Sequence, residues 1–173
     1  YICIMKKYKV ILLSGGFDPV HKGHIECIQH ARELADEVWI GLNSERWLRN
    51  KKGKSFMSEK ERAFIMDNIK GVDWVYVMNP KIQEDTTAVD FIDASRHKWM
   101  RERGTWEEGI MAFGNGGDRV AGGVPPVEED VCKGYGIDLV WGLGDKVQSS
   151  WFNFLFHNWQ KTLRTAHSTA HTA

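Results

Sequence analysis

Two histidines separated by a lysine and a glycine carry the strongest chemical signal in this sequence. His21 and His24 close the segment Ser14–His24, which also holds the adjacent glycines Gly15 and Gly16. Glycines let the backbone approach a ligand, and the amino end of a following helix offers N–H groups and positive potential to an anion. An isolated pair of this kind more often satisfies local hydrogen bonds or holds a metal. Because the glycines and the helix start occur together here, we predict an anion site and no metal site.

Further chemistry-bearing residues follow other apolar runs of the chain. These clusters lie at Asn43–Arg46, Gly114–Arg119 and Gly142–Ser150. A basic run of Lys51, Lys52 and Lys54 comes shortly after the first of them. By default such a run belongs to a solvated surface or a loop.

Apolar, β-branched runs alternate with amphipathic segments along the chain. The runs predict strands at Lys9–Ser14, Glu37–Leu42, Val72–Met78, Gly109–Phe113 and Ile137–Trp141. The segments between them predict helices at Gly23–Leu34, from the capping box of Ser58 and Glu61 to near Gly71, at Thr86–Ala94 with Lys98–Arg103 as its extension or a second helix, at Pro126–Lys133, and from Ser149 to about Leu163. This order predicts an α/β fold, a Rossmann-like five-stranded parallel sheet with helices on both faces. The clusters of polar residues then share the carboxyl edge of the sheet, where such folds bind ligands.

Length and composition set the outer limits of the interpretation. The 173 residues predict a single domain over 5–164, with 165–173 as a small, polar, disordered tail. The 23 basic and 23 acidic residues balance, which removes the general electrostatic argument for a nucleic-acid or membrane partner. Three scattered cysteines and short apolar runs favour a reducing, cytoplasmic location.

Taken together, the motifs resemble those of the H-x-G-H nucleotidyltransferases. The likeness extends from His21–His24 to Val38–Ser44, to the lysines with Ser58–Arg62, to Asn115–Arg119, which is similar to a glycine-glycine-aspartate loop, and to Val147–Ser150, which is similar to an I-S-S-T motif. It covers most of residues 9–155 and is strongest with glycerol-3-phosphate cytidylyltransferase and heptose-1-phosphate adenylyltransferase.

The resemblance implies an enzyme that transfers CMP or AMP from an NTP to a phosphorylated metabolite, such as a sugar or polyol phosphate, and releases pyrophosphate. The acceptor phosphate would attack the α-phosphorus directly, with Mg²⁺ carried on the triphosphate. Alignment and neutralisation of growing charge suffice for such a displacement, so no enzyme nucleophile is needed. Relatives commonly form homodimers, which is the only protein partner the resemblance implies.

The resemblance also implies roles for particular residues. Catalysis would fall to His21, His24 and Lys54, although the basic run does not decide which of its lysines acts. The nucleotide would contact Gly15, Gly16, Phe17, Asp18, Gly23, Gly117, Asp118, Ser149 and Ser150. Lys146 is predicted to contact the triphosphate in place of an arginine that relatives carry where this sequence has Asn153. The acceptor phosphate would contact Arg62, Lys51 and Lys52. Arg62 has an equally weighted alternative, an intrahelical ion pair with Glu59. The serines can also serve as plain helix caps.

Other functions fit the sequence less well. The main alternatives are a nucleotide-binding or sensing module without turnover and an adenylyltransferase of the nicotinamide-nucleotide type. A class I aminoacyl-tRNA synthetase fragment is disfavoured because the K-M-S-K-like segment Lys54–Lys60 follows the second strand directly. A dinucleotide oxidoreductase is disfavoured because the first turn is not G-x-G-x-x-G. The base of the NTP and the identity of the acceptor remain open.

Overall fold

One parallel sheet of five strands organises the computed structural model, which describes residues 6–78, 87–117 and 123–144. The strands stand in the order β3-β2-β1-β4-β5, where β1 is Tyr8–Gly15, β2 Ala35–Leu42, β3 Trp74–Val77, β4 Met111–Gly116 and β5 Asp138–Leu143. All four neighbouring pairs are parallel. The predicted α/β class and parallel Rossmann-like sheet are confirmed.

Helices connect the strands, as the sequence predicts for β-α-β units. They are α1 (Lys22–Leu34), α2 (Glu45–Lys52), α3 (Glu59–Asp67), α4 (Val89–Arg103) and α5 (Pro126–Gly134). The capping box of Ser58 and Glu61 opens α3 as predicted. The segment 98–103 extends α4 and does not form a second helix. None of the helices in the described part of the chain is both long and apolar enough to cross a bilayer.

The central strand β1 contributes side chains to two hydrophobic cores, because its side chains alternate between the faces of the sheet. Ile11 and Leu13 pack with residues of α1 and α3, including Ile28 and Met66. Val10 and Leu12 belong to the opposite core, which contains residues of α4 and α5: Phe91, Ile92, Trp99 and Cys132. Both faces of the sheet are therefore covered by helices, as predicted.

One helix was not expected from the sequence. The basic run after β2, predicted to lie in a loop or on a solvated surface, belongs in part to α2. Ser44 caps this helix by accepting a hydrogen bond from the Trp47 backbone N–H at 3.1 Å, and Gly53 ends it with a φ of 78°. The helix has only eight residues and buries only Leu48, so its apolar periodicity is too weak to detect.

The order of the strands determines where a ligand crevice opens. The chain leaves β1 toward β2 and β3 on one side, and later returns to place β4 on the other side of β1. The strand order therefore reverses between β1 and β4, and the carboxyl edge of the sheet at such a point is the usual ligand position in these folds. Gly15 pairs with Leu42, and Leu13 with Gly114, so the predicted site segments begin side by side.

Candidate active site

The turn from β1 into α1 brings the first group of predicted residues together. Gly15 ends β1, and Gly23 lies in the first turn of α1. Phe17 adopts a φ of 46°, a left-handed conformation that is uncommon for a residue other than glycine. Its buried ring contacts the His24 ring at a centroid distance of 4.8 Å. The aromatic ring thus forms one wall behind His24.

His21 and His24 stack on each other, with ring centroids 3.7 Å apart and planes inclined by 22°. The His21 backbone N–H donates to Nδ1 of His24 at 3.2 Å. Because Nδ1 acts as the acceptor, the proton of a neutral His24 ring resides on Nε2. Burial, helped by the charges of His21 and Lys52, lowers the pKa of His24 to about 3. His24 is therefore a neutral ring with one N–H to donate.

Lys52 is the lysine that the structure brings to the histidines. It ends α2 and is partly buried, and its Nζ lies 4.0 Å from the position that a Cβ on Gly16 would take. Burial lowers the pKa of Lys52, while the charge of Asp18 opposes that change. Burial and the charge of Lys52 also lower the pKa of His21.

The other two lysines of the basic run lie elsewhere. The Lys51 ammonium sits over the Trp47 ring, 4.5 Å from its centroid. Lys54 is exposed and follows the left-handed Gly53 that ends α2. Lys54, the first choice from the sequence, is thus placed less directly beside the histidines than Lys52.

Arg62, predicted to contact the acceptor phosphate or to pair with Glu59, is fully buried, with an exposed fraction of 0%. Its Nη1 donates to the carbonyl oxygens of Gly16 and Asn43, both at 2.8 Å. The described contacts of Arg62 include no ion pair with Glu59, whose carboxylate accepts the Glu45 backbone N–H instead. Arg62 Nε and Nη2 are buried and have no hydrogen-bond partner among the described residues.

Asp18, predicted as a nucleotide contact, uses its carboxylate inside the protein. One oxygen accepts the Phe56 backbone N–H at 2.7 Å, and the other accepts the Met57 backbone N–H at 2.8 Å. The Ser55 hydroxyl adds a longer contact of 3.3 Å. Asp18 is only 5% exposed. This role was not predictable from the sequence, because backbone donors leave no signature there.

The end of β4 approaches α1 near Cys27. Gly117 has a φ of 67°, and a Cβ on Gly116 would lie 3.1 Å from Cys27 Sγ on α1. Burial raises the pKa of Cys27 to about 11, so its thiol stays protonated. The buried amide nitrogen of Asn115 has no hydrogen-bond partner among the described residues. The predicted contacts Asp118, Lys146, Ser149 and Ser150 lie outside the described residues, as do the predicted last helix and tail.

A resident metal ion has no obvious ligand set in the described segments. No three His, Cys, Asp or Glu side chains come together there in a way that would hold one. The candidate site is instead built from basic groups: His21, His24, Lys52 and the buried Arg62.

Comparison with known proteins places this arrangement in a family. Residues 12–167 match the sequence profile of the family described as cytidylyltransferase-like. The chain belongs to this family. The matched range includes β2 to β5, the histidine pair and the basic helix, and it confirms the resemblance found in the sequence.

Curated relatives are similar to part of the chain. The bifunctional protein HldE of Helicobacter pylori is 36% identical over 92 residues, which are 52% of this chain and 19% of that protein. HldE of Syntrophotalea carbinolica is 37% identical over 89 residues, or 50% of this chain and 17% of that protein. The cytidylyltransferase-like chain thus matches less than a fifth of the length of these curated relatives.

The structural likenesses concern the fold alone, because their sequence identities are low. A lipopolysaccharide core biosynthesis protein from Thermoplasma volcanium has a TM-score of 0.53 at 18% identity, covering 79% of this chain and 97% of that chain. A bifunctional NMN adenylyltransferase/ADP ribose pyrophosphatase from Francisella tularensis has a TM-score of 0.54 at 16% identity, covering 83% of this chain and 39% of that chain.

The low pKa of His24 predicts a specific loss of stability in mild acid. The unfolded chain binds a proton at this histidine near its ordinary pKa of 6.5, whereas the folded chain does so only near 3. Protons therefore favour the unfolded state between these values, with a limiting slope of about 1.4 kcal/mol per pH unit. This contribution of His24 to the free energy of unfolding is near zero above pH 6.5 and becomes increasingly unfavourable as the pH falls toward 3.

Urea unfolding of the wild type and His24→Gln at pH 7, 6 and 5 measures this contribution, because the other titrating groups are common to both proteins. The free energy of unfolding of the wild type should fall faster with decreasing pH than that of the variant. Parallel curves would show that the folded protein does not depress the pKa of His24.

Proposed function

We propose that this cytidylyltransferase-like chain transfers CMP or AMP from an NTP to a phosphorylated small metabolite, a sugar or polyol phosphate, with release of pyrophosphate. The observation that carries the proposal is the cluster of His21, His24 and Lys52 beside Gly16 at the carboxyl edge of β1. The family contributes the reaction class, and the cluster supplies groups suited to it.

The electrostatics of this cluster favour a polyanion. Burial lowers the pKa values of both histidines and of Lys52. The charge of Lys52 adds to this effect on the histidines, and the charges of Lys51 and Arg62 add to it on Lys52. Asp18, the carboxylate whose charge opposes the shift at Lys52, is already engaged with two backbone N–H groups. A triphosphate placed here would provide the missing negative charge and would also accept hydrogen bonds from these groups. Charged hydrogen bonds of this kind are the stronger ones.

The residues suit a direct displacement at the α-phosphorus. An oxygen of the acceptor phosphate forms the new P–O bond while the bond to the β-phosphate oxygen breaks, and pyrophosphate departs with that electron pair. Negative charge grows on the leaving oxygen, and the His24 N–H and the Lys52 ammonium are the groups that would stabilise it. The Cys27 thiol, with its raised pKa, is a poor nucleophile, which favours direct attack by the acceptor.

Magnesium would enter as part of the NTP substrate, in accord with the sequence-based expectation. Bound to the phosphates, it neutralises part of their charge and orients them. The chain's own contribution is to hold the triphosphate by its basic groups and by the backbone N–H groups at the start of α1.

The other predicted contacts remain part of the proposal without a defined geometry. Arg62 would meet an acceptor phosphate only through Nε or Nη2, because Nη1 is engaged with two carbonyl oxygens. Gly117 directly follows β4, where a nucleotide could contact its backbone. Contacts to Asp118, Lys146, Ser149 and Ser150 stay predictions from the sequence.

A pyrophosphate-release screen tests the proposed function. ATP, CTP, GTP and UTP are each combined with sugar phosphates, polyol phosphates and nicotinamide mononucleotide, with Mg²⁺ present and His24→Ala as the control for contaminating activity. Pyrophosphate should appear only with a matched NTP and acceptor. Nicotinamide mononucleotide as the sole acceptor would favour the nicotinamide-type alternative. NTP binding without pyrophosphate in any combination would favour a sensing module.

A further inference from the structure

We propose that Asp18 is a positioning residue that holds Lys52 against the histidine pair. Asp18 would act through the turn at residues 53–57 between α2 and α3, because its carboxylate accepts hydrogen bonds from two backbone N–H groups of that turn. The inference rests on the proposed function, because it assigns Lys52 to an anionic ligand.

The contact between Asp18 and this turn is short and protected from water. Each carboxylate oxygen accepts a different backbone N–H, from Phe56 at 2.7 Å and from Met57 at 2.8 Å. Hydrogen bonds from backbone N–H groups to an ionised carboxylate are about twice as strong as neutral ones. Two of them from one buried side chain fix both the place and the orientation of the turn.

The position of the turn at residues 53–57 determines where Lys52 can lie. Lys52 is the last residue of α2, and Gly53 follows it in a left-handed conformation. Only three residues separate Lys52 from the first amide that Asp18 holds. A displacement of Phe56 would therefore be transmitted to the end of α2, and the Lys52 ammonium would leave its place near Gly16.

A second set of hydrogen bonds holds the segment from α2 to α3, on the other side of the turn at residues 53–57. Arg62 on α3 donates to the carbonyl oxygens of Gly16 and Asn43. The segment from α2 to α3 is thus attached to the loop after β1 twice, through Asp18 and through Arg62. Asp18 has an additional effect, since its charge opposes the fall in the pKa of Lys52.

A merely structural role for Asp18 makes a different prediction from a positioning role. If Asp18 only stabilises the fold, its replacement lowers stability but leaves the contribution of Lys52 to binding unchanged in the molecules that remain folded. If Asp18 positions Lys52, the two replacements are coupled, and a double-mutant cycle measures that coupling.

The experiment measures the affinity for inorganic tripolyphosphate by calorimetry in the wild type, Lys52→Ala, Asp18→Asn and the double variant. Lys52→Ala should weaken binding roughly tenfold or more in the wild-type background, as expected for loss of a charged hydrogen bond. In the Asp18→Asn background, Lys52→Ala should lower the affinity for tripolyphosphate by less than about threefold. Amide exchange at Phe56 and Met57 should be faster in Asp18→Asn.

Glu128→Gln provides a matched control for the loss of a buried carboxylate. Glu128 is 5% exposed and accepts the Ala88 backbone N–H at 2.6 Å, and Ala88 belongs to the core on the opposite face of the sheet. In the Glu128→Gln background, Lys52→Ala should retain its full effect. Equal effects of Lys52→Ala in the wild-type and Asp18→Asn backgrounds would overturn the inference.

If Asp18→Asn does not fold, the coupling can be measured without it. Tripolyphosphate should slow amide exchange at Phe56 and Met57 in the wild type and should fail to do so in Lys52→Ala. Unchanged exchange in the wild type would overturn the inference. If the effects of Lys52→Ala and Asp18→Asn on tripolyphosphate affinity are additive while pyrophosphate release is normal, the positioning role of Asp18 is overturned and the proposed function stands. A coupled cycle without pyrophosphate release for any acceptor overturns the proposed function alone.

Discussion

Replacing His24 by alanine is expected to reduce turnover by about two to three orders of magnitude, the usual effect of removing one donor to a transition state. The neutral ring fixes its Nδ1 on the His21 backbone and so keeps its Nε2–H for a ligand. The loss should appear mainly in kcat, because the donor is needed most as charge develops on the leaving oxygen. Steady-state kinetics with the NTP and acceptor identified by the screen measures it. His21→Ala should show a loss of the same order.

Two further variants separate catalysis from packing. His24→Gln keeps an N–H donor at a similar reach and should retain more activity than His24→Ala. His97→Ala removes an exposed histidine on α4 and should behave like the wild type. A lower melting temperature of His24→Ala with normal turnover would mean that the ring, which packs on Phe17 and His21, is structural.

The fold was predictable because its signals are long and local. The apolar centre of β1, from Val10 to Leu13, feeds both cores, which is the pattern of a strand covered on two faces. The capping box at Ser58 marks the start of α3 within the chain itself. Elements of this kind need no knowledge of tertiary contacts, so the parallel sheet followed from the sequence.

The choice among the lysines was not predictable because it depends on the phase of a short helix. Leu48 is fully buried, and a Cβ on Gly16 would lie 2.8 Å from its Cδ2. Lys52 is four residues later and shares that face of α2, whereas Lys51 projects from another face. Without knowing that α2 exists, the sequence offers three equivalent lysines.

The roles of Asp18 and Arg62 also escaped sequence analysis, for a different reason. Their hydrogen-bond partners are backbone groups of Phe56, Met57, Gly16 and Asn43, and any residue type could supply them. A charged residue near a motif predicted to bind phosphate resembles a ligand contact in the sequence. Only the geometry shows that these two side chains connect the segments that carry the predicted ligand contacts.

Lys52→Ala is expected to weaken NTP binding about 10- to 100-fold. Lys51→Ala and Lys54→Ala should each lower the NTP affinity by less than about threefold. The difference follows from burial, since a charged hydrogen bond is worth about 1.5–3 kcal/mol and exposed charges contribute little. Lys52 is partly buried beside Gly16, whereas Lys54 is exposed and Lys51 is held over Trp47. Calorimetric titration with the NTP selected by the screen gives the three affinities.

The titration of Lys52 adds a second signature to this prediction. Burial lowers its pKa below the ordinary 10.5, so the wild type should lose NTP affinity as the pH rises, earlier than an exposed lysine would cause. Lys52→Ala should lack that loss, while Lys54→Ala should keep it. Affinity should also fall with added salt, less steeply in Lys52→Ala because one charge contact is gone. A larger effect of Lys54→Ala than of Lys52→Ala would instead assign the triphosphate to the exposed lysine after α2.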